Sequence, residues 1–273
     1  MQQYSTHTPH TINSIDISEI YNDMNINEYF STRRTIRKYD SSRPVSLEML
    51  NEMLDKAAHA ANTGNMQTYS VIVTAKPDAI AALAPAHFNQ PAIKNAAAVL
   101  TFCIDFNRFN RWCRLNNAEP GLNNMQGFTW GVIDTSILAQ QFCTIAEMNG
   151  LGTCYLGTTT YNAEQIAEAL KLPSDVVPVI TVTVGYPDET PDIQERLPIK
   201  AIVHEEEYCN PTDKELLDFY SEKDNLPSSR QFIKENGKEN LAQVFAEVRY
   251  PRSSNEQFSR VYREFLKNQD IPL

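Results

Sequence analysis

Residues 132–148 restrict the folds open to this chain more than any other stretch. Ile133, Ile137, Leu138, Phe142 and Ile145 recur there at helical spacing, the run is nearly uncharged, and Asn149-Gly150 stops it. A helix of that composition has no face suited to water, so it predicts a central position with other elements, or a second copy of the chain, around it. Elements to surround it can be read on both sides. The runs 69–74 (YSVIVT) and 98–105 (AVLTFCID) predict buried strands with a helix over 77–84 between them. A short strand over 153–156 and another over 177–184, ended by Gly185-Tyr186-Pro187, follow the central helix.

The remaining segments are less regular. A short helical pattern from Asn27 (Tyr29, Phe30) runs into the basic string RRTIRKY, and Ser46 caps a helix striped by Leu47, Leu50, Met53 and Leu54 that ends in the polar turn NTGN. Residues 107–128 hold Trp112, Pro120, Gly121 and Gly127 with little period and predict a long loop or broken helix, of the kind that serves as a lid or binding loop. Asn162, with Gln165 at the capping-box position, opens a further helix, and Asp105 reads as a turn cap. Beyond Tyr208 the chain becomes charged, breaks at Pro227-Ser228-Ser229, and then predicts amphipathic helices over 241–248 and 258–266, the last capped by Ser254 with Gln257. The organisation expected is a loose arm over 1–25, a domain over 26–210, and a helical extension over 211–273 packing on the core or on a partner subunit. No internal repeat is present.

Composition narrows the function. Hydrophobic residues are 42% and charged residues 21%, which is ordinary for a folded globular chain. Lys plus Arg number 24 against 34 Asp plus Glu, a net charge of −10 that repels phosphate backbones and anionic lipid surfaces. Nucleic acid and membrane are therefore poor partners. No window reaches the roughly 18 apolar residues that span a bilayer, and the start MQQYSTHTPHTINSIDI lacks the basic and apolar regions of a secretory signal, so the expected address is the cytoplasm. The five cysteines form no CxxC pair, and His7, His10, His59, His87 and His204 are scattered without metal-ligand spacing. Reduced thiols and no metal site are expected, with each histidine a surface or core residue. No GxxxxGK[ST], HExxH or GxSxG motif occurs.

Three stretches can carry chemistry. Arg33, Arg34, Arg37 and Lys38, with Thr35 among them, put four cations within six residues of an acidic protein. Read alone they are more often a solvated basic patch, but a bound phosphate requires the same groups. Residues 60–67 (AANTGNMQ) end a helix in amide and hydroxyl groups that suit the rim of a heteroaromatic ring, or form an ordinary helix stop. Residues 150–159 (GLGTCYLGTT) hold glycines on both sides of a short strand, which lets a flat ligand lie against bare backbone. The spacing GxGxxxxG after a helix is not that of a dinucleotide-binding turn, which follows a strand and opens a helix.

In this order the three stretches resemble the FMN-dependent nitroreductases. The family's opening motif R-x-S-x-R-x-[FY] is similar to Arg33-Arg34-Thr35-Ile36-Arg37-Lys38-Tyr39, its Ser/Thr-Gly-Asn-x-Gln turn to Thr63-Gly64-Asn65-Met66-Gln67, and its GLG-x-x-[YW]-[IL]-G segment to residues 150–157. The runs FCIDFNR, GVIDTSILAQQ and VPVITVTVGYP, with Arg196-Leu197-Pro198, most resemble the NADPH-using, oxygen-insensitive nitroreductase and flavin reductase branch, over about residues 26–210. The resemblance implies an α+β fold with a central, mostly antiparallel sheet wrapped by helices, and an intertwined homodimer. It implies bound FMN, NADPH or NADH as electron donor, and a small-molecule acceptor: nitroaromatics, quinones or free flavin reduced by a ping-pong mechanism. A flavin-storing or flavin-sensing protein on the same fold, without NAD(P)H turnover, is the alternative. Residue by residue, Arg33, Arg34, Thr35 and Arg37 would bind the phosphate and ribityl chain, with Arg196 closing over the phosphate. Asn62, Thr63, Asn65 and Gln67 would come from the partner subunit. Gln90 would contact the ring edge, and Tyr155, Leu156, Gly157 and Thr158 would lie along the ring, with a backbone N–H near Gly157 donating to it. No side-chain nucleophile is implied. Where the branch carries a Lys two residues before Arg196, this chain has Gln194.

Overall fold

A computed structural model describes residues 26–272; the arm over 1–25, with His7 and His10, lies outside them. Four antiparallel strands form one sheet in the order β1-β2-β4-β3, where β1 is Tyr69–Thr74, β2 Ala98–Asp105, β3 Gly152–Leu156 and β4 Val176–Gly185. All of β2 is buried, as expected of an apolar run paired on both sides. Pro178 cannot donate to the ladder, and the β2–β4 register shifts between Phe102 and Cys103, the residue that faces it.

The helices in chain order are α1 (Ile26–Thr32), α2 (Leu47–Ala57), α3 (Pro77–Leu83), α4 (Pro91–Lys94), α5 (Phe106–Leu115), α6 (Met125–Met148), α7 (Ala163–Leu170), α8 (Asp213–Asn225), α9 (Pro227–Glu235), α10 (Leu241–Gln243) and α11 (Arg252–Asn268). The central helix α6 begins well before residue 132. Asn124 caps it by accepting from the Gly127 N–H at 3.0 Å, and two glycines in its first turns let it approach its neighbours closely. A Cβ on Gly127 would fall 2.1 Å from the Leu122 carbonyl oxygen, and one on Gly131 would fall 2.9 Å from the Ile104 side chain. One face of α6 (Leu138, Ala139, Phe142, Cys143, Ala146) packs with Leu50 and Met53 of α2 and with Leu100, Phe102, Val182 and Val184 of the sheet. The other face leaves Ile133 48% and Ile137 38% exposed in the single chain.

Several expectations need correction. Of the two readings of 107–128 the structure has the broken helix, interrupted between Leu115 and Met125, and its first piece is α5. Its inward face includes Asn110, 1% exposed and bonded to Asn123 and Asp175, and a buried polar residue conceals the apolar period. Asn162 does not cap α7 with its side chain; its amide donates to the Ala86 carbonyl at 2.7 Å. The last helix starts after Pro251, ahead of Ser254 and Gln257. The segment 241–248 is one α turn capped by Asn240 and continued as a π-helix over Val244–Arg249. The helix α8 was not expected, since none of its residues is buried; a Thr212–Glu215 capping box opens it. Phe265 and Leu266 of α11, with Ile271 after it, pack against Ile104, Phe106 and Val177. Among the described residues no helix is long and apolar enough to cross a membrane.

The arginine-rich segment 33–39 lies against the β3 edge. The Ile36 N–H donates to the Thr153 carbonyl at 3.1 Å, and Tyr39 bridges Pro187. Two glycines make room for it: a Cβ on Gly152 would fall 2.5 Å from the Ile36 side chain, and one on Gly185 would fall 3.0 Å from Tyr39. Gly152→Ala should therefore cost about 1–3 kcal/mol in denaturant unfolding, and adding Ile36→Ala should return part of that loss. Additive losses would show that the two positions do not share this contact.

Candidate functional site

The segment 33–39 is anchored by Glu147, which lies in the last turn of α6. Arg33 donates to it through two nitrogens, at 3.1 and 3.0 Å, the Tyr29 hydroxyl donates at 2.8 Å, and the Thr153 hydroxyl donates to the same carboxylate. Burial and the neighbouring carboxylate push the Tyr29 hydroxyl above its ordinary range. Arg33 is thus neutralised within the protein. Arg34 gives its donors to neutral carbonyls, of Thr32 at 3.2 Å and Pro191 at 2.9 Å, and makes no ion pair among the described residues. The guanidinium of Arg37 has no partner among the described residues. The successive backbone N–H groups of Arg37 and Lys38 both donate to Glu189 Oε1, at 2.6 and 3.1 Å, so this stretch of backbone already holds an anionic oxygen. Thr35 lies half-buried between these groups. Arg196 is exposed and folds back onto the carbonyls of Gln194 and Glu195, at 3.0 and 2.9 Å.

Further along the same edge, Tyr155 is half-exposed, whereas the Leu156 side chain is buried in the core, so only its backbone can face a ligand. Gly157 is exposed, and a Cβ there would meet nothing within 4 Å. The next residue, Thr158, is brought to Gln90, whose Nε2 lies 3.4 Å from the Thr158 hydroxyl oxygen. The edge of β3 therefore joins an anion-holding, arginine-rich segment to a strip of bare backbone.

The turn 62–67 is built elsewhere. Asp134 of α6 accepts the Thr63 N–H on both oxygens, at 3.0 and 2.9 Å, and the Thr63 hydroxyl at 2.9 Å. Gly64, Asn65 and Gln67 have φ of 57°, 53° and 52°, a strained run for non-glycine residues of the kind concentrated at functional sites. The Gln67 N–H donates to Asn62 Oδ1 at 3.3 Å, the Gln67 amide to Asn65 Oδ1 at 3.1 Å, and Arg108 donates to the carbonyls of Gln67 and Tyr69. Asp134, Arg108 and Glu147 were missed as positioning residues. The signal available was a carboxylate at two places in an otherwise uncharged helix.

These two halves stand at opposite edges of the sheet. The turn 62–67 precedes β1, while 33–37 and 155–158 lie at β3, the outer strand on the other side of the sheet; the two strands are three spacings or roughly 14 Å apart, and the pairing register offsets the groups further along the strands. One chain does not bring them together. Burial pushes the Cys143 thiol up to about 12, which keeps it protonated, and no cluster of metal-ligating side chains occurs among the described residues.

The model of the Nitroreductase family matches residues 30–186. An oxygen-insensitive NADPH nitroreductase of Salmonella typhimurium is 33% identical over 195 residues, 71% of this chain and 79% of that protein. An FMN reductase (NADPH) of Bacillus subtilis is 29% identical over 212 residues, 71% of this chain and 85% of that protein. A crystal structure from Bacteroides fragilis superposes with a TM-score of 0.88 at 46% identity, covering 90% of this chain and 100% of that one. The family match spans the arginine-rich segment, the left-handed turn and the glycine-flanked strand together, and the chain belongs to the nitroreductase family.

Proposed function

We propose that this chain is an FMN-dependent NAD(P)H oxidoreductase, active as a homodimer, that reduces small acceptors such as nitroaromatics, quinones or free flavin. The observation that carries the reading is the juxtaposition along β3. Segment 33–37 lies beside Thr153, and Gly157 follows four residues later, roughly 13 Å along the strand. A flat ring joined by a flexible chain to a phosphate needs both ends of that strip. The relatives' names, NADPH nitroreductase and FMN reductase (NADPH), agree with it.

The roles follow from the charges left over. Arg34 and Arg37, whose guanidinium groups make no ion pair among the described residues, would hold the phosphate with Thr35, and Arg196 would swing from its own backbone to close over it. We assign Arg33 to anchoring this segment, because Glu147 already takes its charge. Tyr155, the Leu156 backbone, Gly157 and Thr158 would lie along the ring with Gln90 at its edge. When bound, FMN would accept two electrons from NAD(P)H and pass them to the second substrate. The chain itself binds, orients and leaves one face open to each substrate in turn, as expected for ping-pong exchange. The reduced thiols and the demand for NAD(P)H fit a cytoplasmic address.

The partner subunit would supply the other half-site. Asn62, Thr63, Asn65 and Gln67 precede β1, at the opposite side of the sheet from β3 within one chain, while Ile133 and Ile137 of α6 and Leu216, Leu217 and Tyr220 of α8 are left exposed for a second copy to cover.

Arg37→Ala should weaken FMN binding by roughly ten- to a hundredfold, the loss of one charge-assisted contact, read by fluorescence titration. Unchanged affinity would remove Arg37 from the site. Sharing between subunits is tested by co-expressing an Arg37→Ala chain with an Asn65→Ala chain. A shared site leaves one of the two sites in each mixed dimer intact, so high-affinity FMN should appear at one per dimer. A site confined to one chain would leave none.

A further inference from the structure

Next to Gly157 the fold buries a histidine whose hydrogen bonding is only half complete. His87 ends the 3-10 turn Ala84–His87 with no exposed surface. Its Nδ1 lies 2.9 Å from the Thr158 hydroxyl oxygen, the same oxygen that Gln90 Nε2 approaches to 3.4 Å. Its Nε2 is buried without a hydrogen-bond partner among the described residues. Burial pushes the imidazole down to about 4, so at neutral pH the ring is uncharged and divides one proton and one lone pair between its nitrogens.

Two arrangements satisfy the 2.9 Å contact. If Thr158 donates to Nδ1, the proton sits on Nε2, buried with nothing to accept it. If Nδ1 carries the proton, the orphan is only a lone pair. Buried N–H groups without acceptors are the rarer of the two in folded proteins, which puts the proton on Nδ1. The Thr158 oxygen then accepts from His87 and from Gln90, and both its lone pairs are used. Its one remaining capacity is to donate its own O–H. Gln90, with an amide N–H turned to Thr158, retains Oε1 as an acceptor. Gln90 and Thr158 are half-buried while His87 is wholly buried, so the unused capacity lies on the outer side of the cluster.

We propose that His87 is a positioning residue that fixes Thr158 as a hydrogen-bond donor and Gln90 as an acceptor, a pair matched to an imide edge, a carbonyl beside an N–H, on the ring bound along Gly157. The inference rests on the FMN reading given above and adds to it the orientation of one edge of the ring. His87 touches neither ring nor substrate in this account; it acts through the Thr158 hydroxyl.

The test uses the FMN-loaded dimer. In 15N-histidine-labelled protein, the His87 signal, assigned by its absence in His87→Asn, should show the proton on Nδ1. Thr158→Val should raise the FMN dissociation constant by roughly two- to tenfold and move a flavin carbonyl stretch to higher wavenumber, and Thr158→Ser should restore both. A proton on Nε2, or a Thr158→Val protein with unchanged affinity and carbonyl stretch, overturns the proposal while leaving FMN binding intact. Wild-type protein without affinity for FMN overturns the FMN reading and this one together.

Discussion

The Glu147 carboxylate ties the arginine-rich segment to the rest of the molecule. Two Arg33 nitrogens and the hydroxyls of Tyr29 and Thr153 converge on it, joining α1, the segment 33–39, the end of α6 and the first half of β3. Its side chain is 8% exposed, so removing a partner would leave a nearly buried charge unmatched, which costs far more than a surface ion pair. Arg33 is spent there, whereas the guanidinium groups of Arg34 and Arg37 make no ion pair among the described residues, which is why the proposed phosphate site rests on them. A second carboxylate on the same helix, Asp134, holds the turn 62–67 at the opposite edge of the sheet. One helix thus positions both half-sites and keeps them apart.

That separation gives the nearly uncharged helix its meaning. Within one chain α6 buries Leu138, Phe142 and Ala146 against the sheet but leaves Ile133 and Ile137 in water. In the proposed homodimer a second copy would cover that face and deliver its own turn 62–67 to the β3 edge, so one partner would serve both apolar burial and completion of the site.

Much of the sheet was legible because its strands are β-branched and aromatic runs, and the Ser46 and Asp105 caps act as read: Ser46 accepts the Met49 N–H and Asp105 the Arg108 N–H. What escaped did so where residue type and role diverge. Gly127 and Gly131 look like helix breakers, yet they are the places where α6 meets the Leu122 backbone and the Ile104 side chain. Asn110 interrupts the apolar period of α5 because it is buried for its hydrogen bonds to Asn123 and Asp175. His87 gives no signal in sequence, since its partner Thr158 is 71 residues away. Conversely, Gly152 and Gly157 differ in kind although both belong to one motif. The first makes room for Ile36; the second faces open space.

The central claim is that the open strip at Gly157, flanked by arginines that make no ion pair among the described residues, holds FMN in a state that NAD(P)H can reach. Titrating the FMN-loaded dimer with NADPH or NADH under nitrogen, while following the visible flavin absorbance, tests this directly. The absorbance should bleach with about one NAD(P)H per FMN and return when a quinone or nitroaromatic is added. A yellow protein that keeps its colour in excess NADPH and NADH, or a colourless one that takes up no FMN, would contradict it.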